Sequence, residues 1–399
     1  MFNKRLKQWG PAAIITSAFV GPGTITTATQ AGIHYGFALL WAVLFSGIAS
    51  LVIMNMSARL AIVRQQNLIT ALKAMQHTHP KLITTALLLI GLVALSTGLG
   101  FEAGNLLGGA VGLSALTPWS VPISVLALGA ISVLAMQVST PKIIEWLMKT
   151  FVFFMGLIFM LTALWLRPAW SDLYQGFIPR IPEGGLLLTL ALIGTTIIAL
   201  NLVFHSLAAQ EKWTDSKALK IAYQDTFFHV GIGILITMSI VITTAMVSFD
   251  AVDITSPLAY TQALASTLGG AAQIVGALGL VFAGLSSALA TPYMVGVILT
   301  KLSPKLAQFK TKHLATVVVA IGTVFAFFGS TPVPFIITAQ ALSGVMLPFI
   351  AVMFLIMTSQ TSMGPFKNRW WQILIGIGIV LVMSVLGVRL LYQVLLVFL

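Results

Sequence analysis

The chain has no cysteine among its 399 residues and only nine acidic side chains. Without thiols there is no disulfide scaffold, no thiolate metal site and no thiol nucleophile. Charged residues make up 8% of the sequence against 58% hydrophobic ones. A globular domain carries roughly 25% charge, so no soluble core could hide this much apolar surface. Long polar linkers are missing as well, which favours one continuous bundle over separate soluble domains. There is no paired-carboxylate site, no nucleophile elbow and no Gly-Lys-Ser/Thr loop for ATP phosphates. The glycines between 91 and 112 lie in an apolar stretch and read as helix packing rather than as a phosphate loop. Neither an enzyme nor a primary pump is expected, and gradient-driven transport without a cofactor remains.

Apolar segments run near 11–34, 36–62, 82–112, 121–140, 143–166, 186–210, 222–248, 270–300, 314–332, 335–358 and 370–397. Each is long enough to cross a hydrocarbon core of ~30 Å. The prediction is an all-α membrane protein of about eleven transmembrane helices, with 1–399 forming a single transporter domain. A net charge of +12 would suggest nucleic acid in a soluble protein. Here all basic residues except Arg167, Arg180 and Arg389 fall on one side of the expected membrane. The positive-inside rule then places the N-terminus in the cytoplasm and the C-terminus outside a multi-pass inner (plasma) membrane protein, with no nucleic-acid partner. Basic connections also suit anionic membrane lipids. The start, with Lys4, Arg5 and Lys7 before Pro11, lacks a cleavage site and reads as a retained first span.

These spans divide as five, five and one, predicting inverted repeats over about 11–166 and 186–358 and an extra helix at 370–397. Carriers built this way hold substrate at the midplane, where broken helices expose backbone groups. In span 1, Gly21-Pro22-Gly23 before Thr24, Thr26 and Thr27 frees carbonyls near 17–19. The alternative is a plain proline kink, with the threonines bonded back to their own helix. In span 6, Gly194-Thr195-Thr196 and the polar pair Asn201 and His205 interrupt an apolar run, but no proline lies between them and a continuous helix is the alternative. Glu102 lies inside span 3 and His205 inside span 6, where ionisable groups are costly unless paired or hydrated. Proton handling competes with plain structural hydrogen bonding for both. Gln340 in span 10 either lines a cavity or bridges helices, while His34 and His229 near span ends receive no role.

The chain resembles the Nramp family of proton-coupled divalent metal transporters. The likeness is carried by Gly21-Pro22-Gly23-Thr24 through Gln30-Ala31-Gly32, Tyr35 to Trp41, Ser57-Ala58-Arg59-Leu60, Asn201 to Ser206, Ala283 to Ser287, and Gln340 with Leu347-Pro348-Phe349. It implies a LeuT-like 5+5 inverted repeat with discontinuous helices 1 and 6. The departures bear on substrate. Where the family's first-helix Asp-Pro-Gly-Asn coordinates metal, this chain has Gly21 and Thr24. The sixth-helix Met-Pro-His stands as Ile198-Ala199-Leu200, without the thioether that favours transition metals over magnesium or calcium. Thr195 replaces a carbonyl-donating alanine, and Gln340 alone keeps its usual ligand type. Glu102 matches an acid of the proton route and His205 the sixth-helix histidine, whereas Asn105 replaces a second acid and span 9 lacks basic partners.

The resulting expectation is a secondary transporter of a divalent cation with altered selectivity. Gly21, Thr24, Thr195, Ile198, Asn201 and Gln340 would line the substrate, with Thr24, Thr195 and Gln340 as metal donors and Glu102 and His205 on a proton pathway. Neutral oxygen donors suit a partly hydrated ion such as Mg²⁺ better than Mn²⁺ or Fe²⁺. The alternative is a LeuT-fold carrier of a small neutral or anionic solute held by helix N-termini. A transport-inactive sensor on the same bundle has no extra soluble domain to support it.

Overall fold

The computed structural model describes residues 15, 20–138, 141–247, 254–329 and 331–398, and no strand occurs among them. The first five helices along the chain are α1 (Pro22–Tyr35), α2 (Leu40–Arg64), α3 (Leu68–Ala74), α4 (Pro80–Leu116) and α5 (Val121–Val138). They are followed by α6 (Pro141–Leu166), α7 (Trp170–Gly176), α8 (Leu186–Thr196), α9 (Ala199–Lys212) and α10 (Leu219–Ala245). The last are α11 (Thr261–Leu268), α12 (Ala272–Leu302), α13 (Thr311–Phe327), α14 (Pro332–Thr358) and α15 (Trp370–Phe398). Seven apolar segments are long enough to cross a membrane, Leu186–Lys212 being two helices in succession, and Val121–Gln137, Gly156–Leu166 and Thr311–Phe327 are shorter apolar helices. Together with α1 they occupy the positions of the expected spans. Most of the first half of span 1 lies outside the described residues.

Local chemistry accounts for the helix starts. Proline opens α1, α4 and α14 within the first turn, where its missing N–H costs no bond. Pro332 also explains one difference from the sequence reading: span 9 ends at Phe327 rather than near 332, because that proline already begins α14. Hydroxyls inside the bundle mostly bond to their own helix, as Thr189 does to the Gly185 carbonyl at 2.8 Å and Thr237 to that of Gly233 at 2.9 Å. In lipid this satisfies the hydroxyl without a distant partner.

The α4–α12 pairing is built on small residues. A Cβ placed on Gly284 would sit 2.7 Å from the Gly109 Cα and 2.9 Å from the Asn105 carbonyl oxygen. One on Gly112 would sit 2.5 Å from the Ala277 carbonyl oxygen. Gly109 and Gly112 therefore serve backbone approach, in keeping with the packing role the sequence suggested for the 91–112 stretch. Large apolar side chains such as Leu88, Leu164 and Trp165 are exposed on the outside, as a surface bathed in acyl chains requires. Buried Arg59 of α2 donates to Asn368 and Gln372, tying the end of α2 to the start of α15.

Candidate substrate site at two helix breaks

Span 6 is broken, so the continuous-helix alternative is overturned. α8 ends at Thr196, Ile197 (φ −106°, ψ 90°) and Ile198 (φ −93°, ψ 122°) are extended, and α9 begins at Ala199. No proline causes this. Four consecutive β-branched residues, Thr195-Thr196-Ile197-Ile198, weaken the helix locally. Gly194 allows α14 to approach so closely that a Cβ there would lie 2.9 Å from the Gly344 amide nitrogen and collide with the Gln340 carbonyl. Tertiary packing thus holds the chain at the point where its helix propensity is lowest.

In span 1 the described residues begin a helix at the expected place, and residues 16–19 just before it lie outside the described ones. Gly21 is extended (φ −109°, ψ −173°) and α1 starts at Pro22. The proline-kink alternative required the threonines to bond back to their own helix. The Oγ1 atoms of Thr26, Thr27 and Thr29 are instead buried without a partner among the described residues.

The two breaks face each other. The hydroxyls of Thr24 and Thr195 lie 2.5 Å apart across 171 positions of sequence. Gln340 of α14 is wedged against both, its side chain on Gly23 and its backbone on Gly194, and its Oε1 is buried without a partner among the described residues. Gly21 faces α12 and α4: a Cβ there would run into the Ser287 hydroxyl and lie 3.4 Å from Asn105 Oδ1. Asn105 Nδ2 in turn points to the Thr291 hydroxyl at 3.5 Å. Gly21, Thr24, Thr195 and Gln340 are therefore brought together, with Asn105, Ser287 and Thr291 as polar neighbours.

Ile198 sits buried at the mouth of α9. Asn201, one turn on, is buried with neither side-chain atom partnered among the described residues, and no bond links it to Thr24 or Gln340. Among the described residues no carboxylate or sulfur joins the cluster. Groups of three or more His, Cys, Asp or Glu side chains suited to a metal are absent among the described residues.

The two proton-pathway candidates stand apart. Glu102 is fully buried in α4, its stem against Gly322 of α13, and neither carboxyl oxygen has a partner among the described residues. His205 of α9 meets the Ser57 hydroxyl at 3.0 Å through Nδ1, while its Nε2 has no partner among the described residues. No hydrogen bond joins Glu102 to His205. His229, given no role by sequence, pairs with Asp225 one turn earlier on α10 at 3.1 Å. Sequence reasoning also gave no site role to Ser57, Ser287 and Thr291. For Ser287 the only signal was the family resemblance over Ala283 to Ser287.

Comparison with known proteins gives the family. The family described as natural resistance-associated macrophage protein-like matches residues 12–393. A natural resistance-associated macrophage protein 2 homolog of Dictyostelium discoideum is 27% identical over 410 residues, covering 98% of this chain and 64% of that protein, so the chain spans just under two thirds of that relative. A divalent metal cation transporter MntH of Staphylococcus aureus is 24% identical over 421 residues, covering 98% of this chain and 92% of that protein. Among solved structures, the Eremococcus coleocola manganese transporter, in complex with an aromatic bis-isothiourea substituted compound, has a TM-score of 0.82 at 20% identity, covering 97% of this chain and 86% of that one. That likeness agrees with the LeuT-like all-helical fold the sequence resemblance implied. With its family match running almost from end to end, the chain belongs to the Nramp family.

Proposed function

We propose that this protein is a secondary transporter of a divalent cation whose selectivity has moved away from Mn²⁺ and Fe²⁺ toward a partly hydrated ion such as Mg²⁺. The observation that carries this reading is the Thr24–Thr195 hydroxyl pair at 2.5 Å, spanning both helix breaks. With the unpartnered Gln340 Oε1 it makes a donor set of neutral oxygens. Mn²⁺ and Fe²⁺ that shed water need anionic or strong donors in exchange, whereas Mg²⁺ keeps several waters and needs only acceptors for their hydrogens. Ile198 puts an aliphatic side chain where a thioether would select a softer ion, and Gly21 and Asn201 complete the lining. Family membership supports a divalent metal as cargo, and the name of the S. aureus relative says the same of that protein. The chain needs no cofactor and performs no catalysis in this reading.

A second reading is a carrier of a small anionic solute. It is favoured by α1 and α9, which both begin without a side-chain cap, so that no side chain offsets the positive end of either helix dipole. Isothermal titration of the purified protein with Mg²⁺, Mn²⁺ and a panel of small anions separates the two. Saturable Mg²⁺ binding, with Mn²⁺ no tighter, is expected. Mn²⁺ binding at least about tenfold tighter than Mg²⁺, a gap of ~1.4 kcal/mol, would overturn the selectivity claim. Heat from an anion but from neither cation would replace the first reading by the second.

The repeat organisation belongs to the same proposal. Each break is followed by a helix of 14 residues, α1 and α9, in corresponding places of two halves at about 11–166 and 186–358. The basic connections support an N-terminus in the cytoplasm and a C-terminus on the outer side of the plasma membrane. A reporter fused after Leu399 should be active only outside, and activity confined to the cytoplasm would refute this topology.

A further inference from the structure

Between α2 and α10, a cavity of about 1130 Å³ opens on the outside of the bundle. It exceeds the roughly 300–1,000 Å³ of pockets for small solutes, and none of its lining residues belongs to the two breaks. Its lining changes along the α10 axis. Lys220 comes first, exposed and without a hydrogen bond or ion pair among the described residues. Tyr223 and Gln224 follow one turn on, with Asn55 of α2 also on the wall. Phe227 and Phe228 come next, 70% and 47% exposed, with Leu51 and Phe366 on the same wall. The helix rise separates the cation from the first phenylalanine by ~10 Å, with the polar band about halfway.

That order, cation, then hydrogen-bonding groups, then exposed aromatic surface, is the order of a phospholipid read from phosphate through ester linkages to acyl chains. We infer that this groove binds an anionic phospholipid from the leaflet beside the Lys212–Lys220 connection. Its phosphate lies on Lys220, its headgroup hydroxyls and esters on Asn55, Tyr223 and Gln224, and its chains over Phe227 and Phe228. Asn55 Oδ1 supports this independently, because it is a buried acceptor left without a partner among the described residues and a headgroup hydroxyl can donate to it. Asp225 would repel a phosphate if it faced the groove openly, but its carboxylate has no exposed surface and turns to His229 at 3.1 Å.

The test is native mass spectrometry of the full-length protein released from detergent with equal amounts of phosphatidylglycerol and phosphatidylcholine. Wild type should retain phosphatidylglycerol with a preference of about fivefold, the factor one lysine near an anionic surface provides. Lys220→Gln should bring the preference to near unity, Lys220→Arg should keep it, and Lys217→Gln, on the neighbouring exposed turn, should leave it unchanged. An undiminished preference in Lys220→Gln overturns the assignment. Displacement of the lipid by soluble glycerol phosphate at equal concentration overturns it too, because the groove would then recognise a free phosphate rather than a membrane lipid.

Discussion

Proteoliposomes containing the protein are expected to show little or no saturable Mn²⁺ uptake at micromolar concentration, and Gly21→Asp alone is expected not to restore it. The first result follows from donor chemistry. One carboxylate facing a divalent ion contributes several kcal/mol even at an effective dielectric of ~20, and no carboxylate joins Thr24, Thr195 and Gln340. The second follows from packing. The space a side chain at position 21 would need is already taken, because a Cβ there would collide with the Ser287 hydroxyl and come within 3.3 Å of the Ser287 Cβ. Combining Gly21→Asp with Ser287→Ala removes the colliding hydroxyl, and this double variant should gain Mn²⁺ affinity by about 100-fold or more, ~2.7 kcal/mol. Robust Mn²⁺ uptake by the wild-type protein would show that neutral oxygens suffice. Restoration by Gly21→Asp alone would show that the packing does not guard the position.

The parts of this architecture legible in the sequence were those written in local chemistry. Apolar runs gave the spans, because only a helix can satisfy its backbone in lipid. Gly21-Pro22-Gly23 marked the first break, because proline removes a donor and glycine tolerates the resulting backbone. The second break was harder to see. It is carried by four β-branched residues and by Gly194 packing on α14, and a β-branched run in an apolar segment looks the same whether the helix continues or not. The short helix α11 before span 8 went unseen for a similar reason, since Thr261–Leu268 carries no strong stop or start signal.

Side-chain partners were illegible wherever they lie far apart in sequence. Thr24 meets Thr195 across 171 positions and Ser57 meets His205 across 148. Nothing in either local segment names its partner. Asn201 shows the opposite limit. Its type and position pointed to the site, yet no bond ties its side chain to the cluster around Gln340, so its place in the proposed lining rests on α9 beginning at the break.

Glu102→Gln is expected to abolish whatever pH dependence transport has while leaving substrate binding within about twofold of wild type, a change of ~0.4 kcal/mol. Glu102 has no exposed surface and both its oxygens lack partners among the described residues. A buried charge without a partner costs several kcal/mol, so any charge it carries during transport must be met by the cargo or by a proton. Glutamine keeps the shape and removes that choice.

The surroundings also explain why coupling should be weak. The residue of α13 packed on the Glu102 stem is Gly322, which offers no charge, and the cationic side chains of α13 are confined to Lys312 and His313 at its start. The next acid position on α4 is the neutral Asn105, turned toward Thr291. His205 could pass a proton through its unpartnered Nε2, but Nδ1 is engaged with Ser57 and no bond connects it to Glu102. Measuring uptake and binding in parallel across mildly acidic to neutral pH decides the matter. If Glu102→Gln abolishes binding and leaves the pH profile of residual uptake unchanged, Glu102 serves the substrate site or the packing of α4 on α13, and it carries no proton.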